Sequence, residues 1–333
     1  MKVHRYALPV LAAFAMIGCG KEQTPTPTAQ PPAPPSAPTV TLADLDVVKP
    51  AREPYKIALI VKTRNNSFFR PMIAEFEKTA RELGCVPEVQ APPQETDYEK
   101  QMVLVQEEVS RGVKAICITP ADSKGIVPAL AAASRKGVII INLDNRVDRE
   151  AADSLGLSLS GYLGTDNLAG GRLAGEAMLA RVKANSDVAI LEGIRGVDNA
   201  EARRKGFSEA VQGKLNVVAS ESAEWDTELA YQKTQNVMAA HKGLSGIFCA
   251  NDKMAVGAMK AIAEAGQKGK IVVVGYDNIP DVQPALKSGE LAATIGQRPD
   301  LMGAYGARMA VGVLNGDVPA GADIVFPLET VTR

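Results

Sequence analysis

The stretch Lys56-Ile-Ala-Leu-Ile-Val-Lys-Thr-Arg-Asn-Asn-Ser-Phe-Phe69 constrains the fold more than any other. Residues 57–61 are an unbroken apolar run, the pattern of a parallel strand buried on both faces. A polar loop follows over 62–69. Beyond it Met72, Ile73, Phe76, Thr79, Ala80 and Leu83 recur at helical spacing, which predicts an amphipathic helix. Such a strand–loop–helix unit belongs to an open α/β sheet, where ligands bind at the carboxyl ends of the strands. A phosphate or dinucleotide loop needs glycines, so that main chain can approach phosphate. None occurs between Lys56 and Phe69. Asn65 and Asn66 instead offer amides that donate and accept, and Phe68 and Phe69 offer ring faces. That chemistry suits a polyhydroxylated, uncharged ligand better than a nucleotide.

The same rhythm continues along the chain. Further strands are expected at 87–91, 115–119, 138–142 and 162–165, then at 188–192, 215–221, 246–250, 271–276 and 291–296. Helices are expected between them at 98–111, 125–136, 167–183, 199–212, 226–240, 253–265 and 281–288. A last helix is expected at 299–314, and 324–332 is extended. Two comparable runs in 333 residues predict α/β architecture with two doubly wound, parallel-sheet lobes. Gly170, Gly171 and Gly175 fall inside an expected helix without the dinucleotide fingerprint spacing. They are read as positions of close packing.

A formal net charge of −1 and the lack of a basic run point away from nucleic acid. The chain has two histidines, His4 in the leader and His241, which disfavours a histidine-centred catalytic site or a multi-histidine metal site. The start of the chain reads as a targeting signal. Lys2 and Arg5 precede an apolar core at 7–17, which is too short to span a bilayer. It ends in Met16-Ile-Gly-Cys19, which resembles the lipobox of bacterial lipoproteins, so residues 1–19 are expected to be a signal peptide with Cys19 lipidated. Residues 20–53 are rich in proline and are expected to be an extended tether. Cys85, Cys117 and Cys249 match no metal spacing and are expected to be small buried thiols. No metal and no cofactor is expected.

The residues just beyond each strand form a set. The first half gives Lys62, Asn66 and Phe69, then Asp144 with Asn145. The second gives Arg203, Trp225, Asn251 with Asp252, Asp277 and Gln297. Nearly all are planar polar groups or aromatics, and strand ends share one edge of a sheet. A sugar hydroxyl both donates and accepts, as these groups require, and aromatic faces cover the C–H faces of a sugar ring. A sugar or polyol cleft between the lobes follows.

The residues that compose this set resemble those of a known family, the periplasmic sugar-binding proteins of ABC importers, near the ribose- and allose-binding type. The likeness runs from Tyr55 to Arg333. It is carried by Thr63-Arg-Asn-Asn-Ser-Phe-Phe69, Asn142-Leu-Asp144, Gly164-Thr-Asp-Asn167, Ala202-Arg-Arg204, Trp225-Asp226, Ala250-Asn-Asp252, Val274-Gly-Tyr-Asp277 and Ala292-Ala-Thr-Ile-Gly-Gln297. The resemblance implies lobes joined by three crossings, at 54–165 plus 298–325 and at 166–297 plus 326–333. It implies ligand contacts from Asn66, Phe68, Phe69, Asp144, Arg203, Trp225, Asn251, Asp277 and Gln297. Lys62 fits the allose-type pattern better. The ribose type places an arginine directly after the aspartate, whereas here Asn145 comes first and Arg146 second, which leaves the sugar open. The partners implied are a monosaccharide and a membrane ABC permease, with a monomeric receptor held by lipid in the periplasm or on the outer face of the cytoplasmic membrane. The alternative is a sensor that presents its ligand to a membrane kinase or chemoreceptor. No enzyme activity is expected.

Overall fold

Alternate residues of the first strand feed two different cores. In the computed structural model, which describes residues 40–333, Ile57, Leu59 and Val61 pack into one apolar layer and Ala58 and Ile60 into another. All five are fully buried. A strand covered on both faces must lie inside a parallel sheet flanked by helices.

A short helix α1 (Leu42–Asp46) leads into β1 (Lys56–Ile60), α2 (Phe69–Glu82), β2 (Val86–Gln90), α3 (Tyr98–Ser110), β3 (Ala115–Ile118), α4 (Val127–Arg135), β4 (Ile139–Leu143), α5 (Arg149–Ser154) and β5 (Gly161–Thr165). The second lobe follows with α6 (Asn167–Leu179), β6 (Asp187–Glu192), α7 (Asp198–Val211), β7 (Asn216–Ser222), α8 (Thr227–Ala240), β8 (Leu244–Cys249), α9 (Asp252–Glu264) and β9 (Val272–Asp277). A 3-10 turn (Pro280–Val282), α10 (Gln283–Ser288) and β10 (Ala293–Gly296) complete that lobe. The chain then returns through α11 (Pro299–Asn315) and β11 (Ala322–Phe326) and ends with β12 (Glu329–Val331). The first sheet has the order β2-β1-β3-β4-β5-β11, wholly parallel. The second repeats it as β7-β6-β8-β9-β10-β12, with only β12 antiparallel. The chain passes between the lobes three times, after β5, after β10 and after β11.

The expected α/β architecture is therefore present, with instructive differences. The extended stretch at 324–332 divides into β11 and β12 in different sheets, because Pro327 has no N–H for a ladder. The connection after β4 contains α5, capped by Asp148, whose carboxylate accepts from Ala151 N at 2.8 Å. At Gly171 a Cβ would collide with the Arg203 carbonyl, so α6 and α7 touch backbone to backbone. That contact fixes the height at which Arg203 enters the site.

The end of the expected tether departs from the reading of residues 20–53. Leu45 is fully buried, and Val40 and Val48 are nearly so. Asn315 of α11 donates to the carbonyls of Lys49 and Pro50, and Tyr305 Oη donates to Asp46 Oδ1 at 2.8 Å. Three apolar residues among the polar ones suffice to seat this segment on the first lobe. The signal peptide, Cys19 and the rest of the tether lie outside the described residues. Cys85, Cys117 and Cys249 are buried and unpaired, and burial pushes each thiol pKa up, that of Cys85 to about 11.

Candidate functional site

The loop after β1 builds one wall. Lys62 N donates to Thr119 Oγ1, which ties this loop to β3. Asn66 Oδ1 accepts from Phe68 N at 3.0 Å, a local turn that starts α2, and its Nδ2 donates to Glu95 Oε1 at 2.9 Å. Phe68 and Phe69 meet edge to face at 5.2 Å. Beyond β4, Asp144 turns the chain with φ 60°. Its main chain is fixed at both ends, by its N–H to the Leu163 carbonyl and by Tyr162 Oη donating to its carbonyl. Asp144 Oδ2 lies 3.6 Å from Lys62 Nζ, both side chains being 3% exposed, and Oδ1 has no partner among the described residues.

The second lobe builds the facing wall. Arg203 is held within it through Nε and Nη1. Nε donates to Asn167 Oδ1 at 2.8 Å and Nη1 to the Ala250 carbonyl at 2.9 Å, and the guanidinium lies 3.7 Å from the Tyr276 ring centroid. Nη1 also lies 3.5 Å from Asp277 Oδ1, which accepts from Gln297 Nε2 at 2.8 Å. Asn251 caps α9 by accepting from Met254 N. Trp225 is pressed onto Gly193, where any Cβ would overlap the indole, and its Nε1 is buried without a partner among the described residues. Trp225 and Asp277 share with Asp144 a positive φ, 64° and 110° respectively. Bulky or non-glycine residues are rare there, and such strain gathers at functional sites.

The two walls face each other across one cavity. Lys62 and Arg203 face three carboxylates there, Asp144, Asp277 and Glu95. Burial raises the pKa of Glu95, with the Lys62 ammonium offsetting part of it. Burial likewise raises that of Asp277 against the pull of Arg203. Behind them Asp252 is pushed up to about 7 by burial, though Ile279 N and Thr294 Oγ1 donate to it. Such a lining offers neutral ligands many donors and acceptors. The lobes touch at both rims. Ser67 Oγ donates to Asp281 Oδ2 at 2.8 Å, while Asp198 N and Asn199 N donate to Ser123 Oγ and Asn145 Oδ1. The cleft is closed.

Residues 57–317 match the family described as periplasmic binding protein domain. The chain belongs to the periplasmic binding protein family. It is 33% identical over 274 residues to the D-allose-binding periplasmic protein of Escherichia coli (strain K12), covering 81% of this chain and 88% of that one. It is 35% identical over 262 residues to the ribose import binding protein of Salmonella typhimurium, covering 78% and 85%. Among solved structures it is similar to an ABC transporter periplasmic solute binding protein of Actinobacillus succinogenes with bound D-allose. There the TM-score is 0.77 and the identity 36%, over 84% of this chain and 97% of that one.

In this periplasmic binding protein nine of the eleven residues expected at the site line one cavity, all but Asn145 and Gln297. Asn145 is turned away. Its Nδ2 donates to the Pro120 carbonyl and Ser123 Oγ, and its Oδ1 takes the Asn199 N–H from the other lobe. The left-handed turn at Asp144 sends consecutive side chains in opposite directions. Gln297 stands behind Asp277 at the crossings, where its Oε1 accepts from Thr165 Oγ1 at 2.7 Å. Two lining residues, Glu95 and Asn199, were not expected. Asn199 precedes Arg203 by four residues on α7, so helical spacing places both on one face. Glu95 lies in the irregular loop after β2, which carries no such signal.

Proposed function

We propose that this periplasmic binding protein captures one monosaccharide or polyol between its lobes and delivers it to the membrane permease of an ABC importer. The observation that carries the reading is a set of buried polar atoms on the cavity lining that no group among the described residues satisfies, with at least one on each lobe. Asp144 Oδ1 is an acceptor and Trp225 Nε1 a donor. Leaving such atoms unpaired costs about 1–3 kcal/mol each, and a polyol supplies both partners. In this account Lys62, Asn66 and Asp144 hold hydroxyls from one side, and Arg203, Asn251 and Asp277 from the other. Phe68, Phe69 and Trp225 cover apolar ring faces, and Gln297 acts by positioning Asp277. The relatives that bind D-allose and ribose support this class of ligand. The protein works as a monomeric receptor, and no bond is made or broken.

The test is a thermal-shift screen of the full chain against pentoses, hexoses and polyols, beginning with D-allose and D-ribose. A ligand at a hundred times its Kd stabilises the native state by about 2.7 kcal/mol, a readily measured shift. A screen in which no carbohydrate raises the melting temperature overturns the reading.

We also propose lipid attachment at Cys19, supported by Met16-Ile-Gly-Cys19 and the proline-rich tether behind it. Stable anchoring takes more than one acyl chain. Cys19→Ser is expected to leave protein unprocessed or soluble where wild type fractionates with membranes. Wild type recovered as free soluble protein contradicts it.

A further inference from the structure

Helix α7 starts without a cap of its own, since Val197 holds the cap position. The first N–H groups of a helix have no acceptor within it. Here two of them are satisfied from the opposite lobe. Asp198 N donates to Ser123 Oγ at 3.1 Å and Asn199 N to Asn145 Oδ1 at 3.2 Å. Asn145 Nδ2 donates to Ser123 Oγ at 3.3 Å and to the Pro120 carbonyl at 3.0 Å, so both acceptors belong to one braced unit. The other end of Asn199 lines the cavity. The residue is 3% exposed, and its Oδ1 is buried with no partner among the described residues. A buried amide oxygen left unpaired calls for a partner that the protein does not supply.

We propose that Asn199 is a specificity-determining contact that also couples the ligand to closure. Its side-chain amide hydrogen-bonds a hydroxyl of the bound sugar, while its main-chain N–H makes the clasp with Asn145 that only closed lobes can form. The proposal rests on the reading of the cavity as a sugar site. A hydroxyl on Oδ1 holds the first turn of α7 where the two trans-lobe bonds are made. Opening loses the hydroxyl contact and both caps together, so the ligand favours the closed state by its differential affinity. Ser123 and Asn145 do not line the cavity, so they act on closure without touching the sugar. Asn199 therefore sets which sugar is preferred, and Ser123 how firmly the lobes hold any sugar.

The test uses the full chain, calorimetry with D-allose and D-ribose, and the monodeoxy derivatives of whichever binds. Asn199→Ala is expected to weaken binding by about 5- to 150-fold. One monodeoxy derivative, bound poorly by wild type relative to its parent, is expected to bind Asn199→Ala as well as the parent does, which identifies the hydroxyl. Ser123→Ala, which removes one trans-lobe cap, is expected to weaken every sugar by one common factor of about 2- to 30-fold without reordering the derivatives. Should Asn199→Ala fail to fold, Asn199→Ser carries the same comparison. Wild-type affinity and wild-type discrimination in the Asn199 variant overturn the proposal while leaving the sugar site standing. A uniform loss over all derivatives also overturns it. Wild type that binds no sugar removes the site reading and this proposal with it.

Discussion

Replacing Asp144 by Asn separates the ligand-holding role of the site from its structural role. The side chain keeps its size, and φ 60° is a conformation that asparagine tolerates better than most residues. Asp144 and Lys62 both belong to the first lobe, so parting the lobes returns water to both, and the unliganded fold is expected to hold. In the closed form two effects add. A ligand hydroxyl exchanges a carboxylate acceptor for an amide, and bonds to charged groups contribute about 1.5–3 kcal/mol against about 0.5–1.5 for neutral ones. Closure also buries the Lys62 ammonium, 3.6 Å from Asp144 Oδ2, without its counter-charge. Breaking a buried pair costs about 3–5 kcal/mol where no other group helps. The Lys62 ammonium also interacts with the Glu95 carboxyl, which offsets part of that cost. A net loss of about 2–3 kcal/mol means binding about 30- to 150-fold weaker. Calorimetry with D-allose or D-ribose, beside the melting temperature of unliganded protein, measures it. Unchanged affinity would refute the reasoning, as would a lowered unliganded melting temperature with affinity intact.

Three further outcomes are expected. Trp225, the only tryptophan in the chain, is expected to change its emission on binding, and Trp225→Phe to lose that signal with a modest loss of affinity; emission blind to a sugar that calorimetry detects would remove it from the site. Small-angle scattering is expected to give a smaller radius of gyration with saturating sugar, and an equal radius would mean that the cleft does not open. Burial raises the carboxyl pKa of Asp252, Glu95 and Asp277, so over an intermediate pH range the folded state binds protons that the unfolded chain has released. Their contribution to stability is full below about pH 4 and is lost as pH rises through the folded values, about 7 for Asp252. Asp252→Asn is expected to flatten the fall in melting temperature over that window, and an undiminished slope would contradict the assignment.

Periodicity made the architecture legible, because buried parallel strands such as residues 57–61 are apolar without a break. The same rule located the strand ends and hence most of the cavity lining. It could not say which of two neighbours at a strand end turns inward. Asp144 and Asn145 are both short and polar, and only the positive φ at Asp144 separates them. Asn251 shows the converse, since the residue that caps α9 also lines the cavity. Glu95 escaped because its place depends on the path of a loop, to which no period applies. Leu45 and Val48 escaped because a few apolar residues after a proline-rich run carry no pattern, and only the side of α11 gives them a surface.

The most direct measurement is the crystal structure of the full chain with the carbohydrate that binds most tightly. The account predicts one sugar enclosed between closed lobes, with hydroxyls on Asp144 Oδ1 and on the Arg203–Asp277 side, and an aromatic ring against a C–H face. A sugar seated instead in the groove of about 530 Å³ at the opposite edge of the second sheet, among Met238, Lys242 and Ile271, would contradict it.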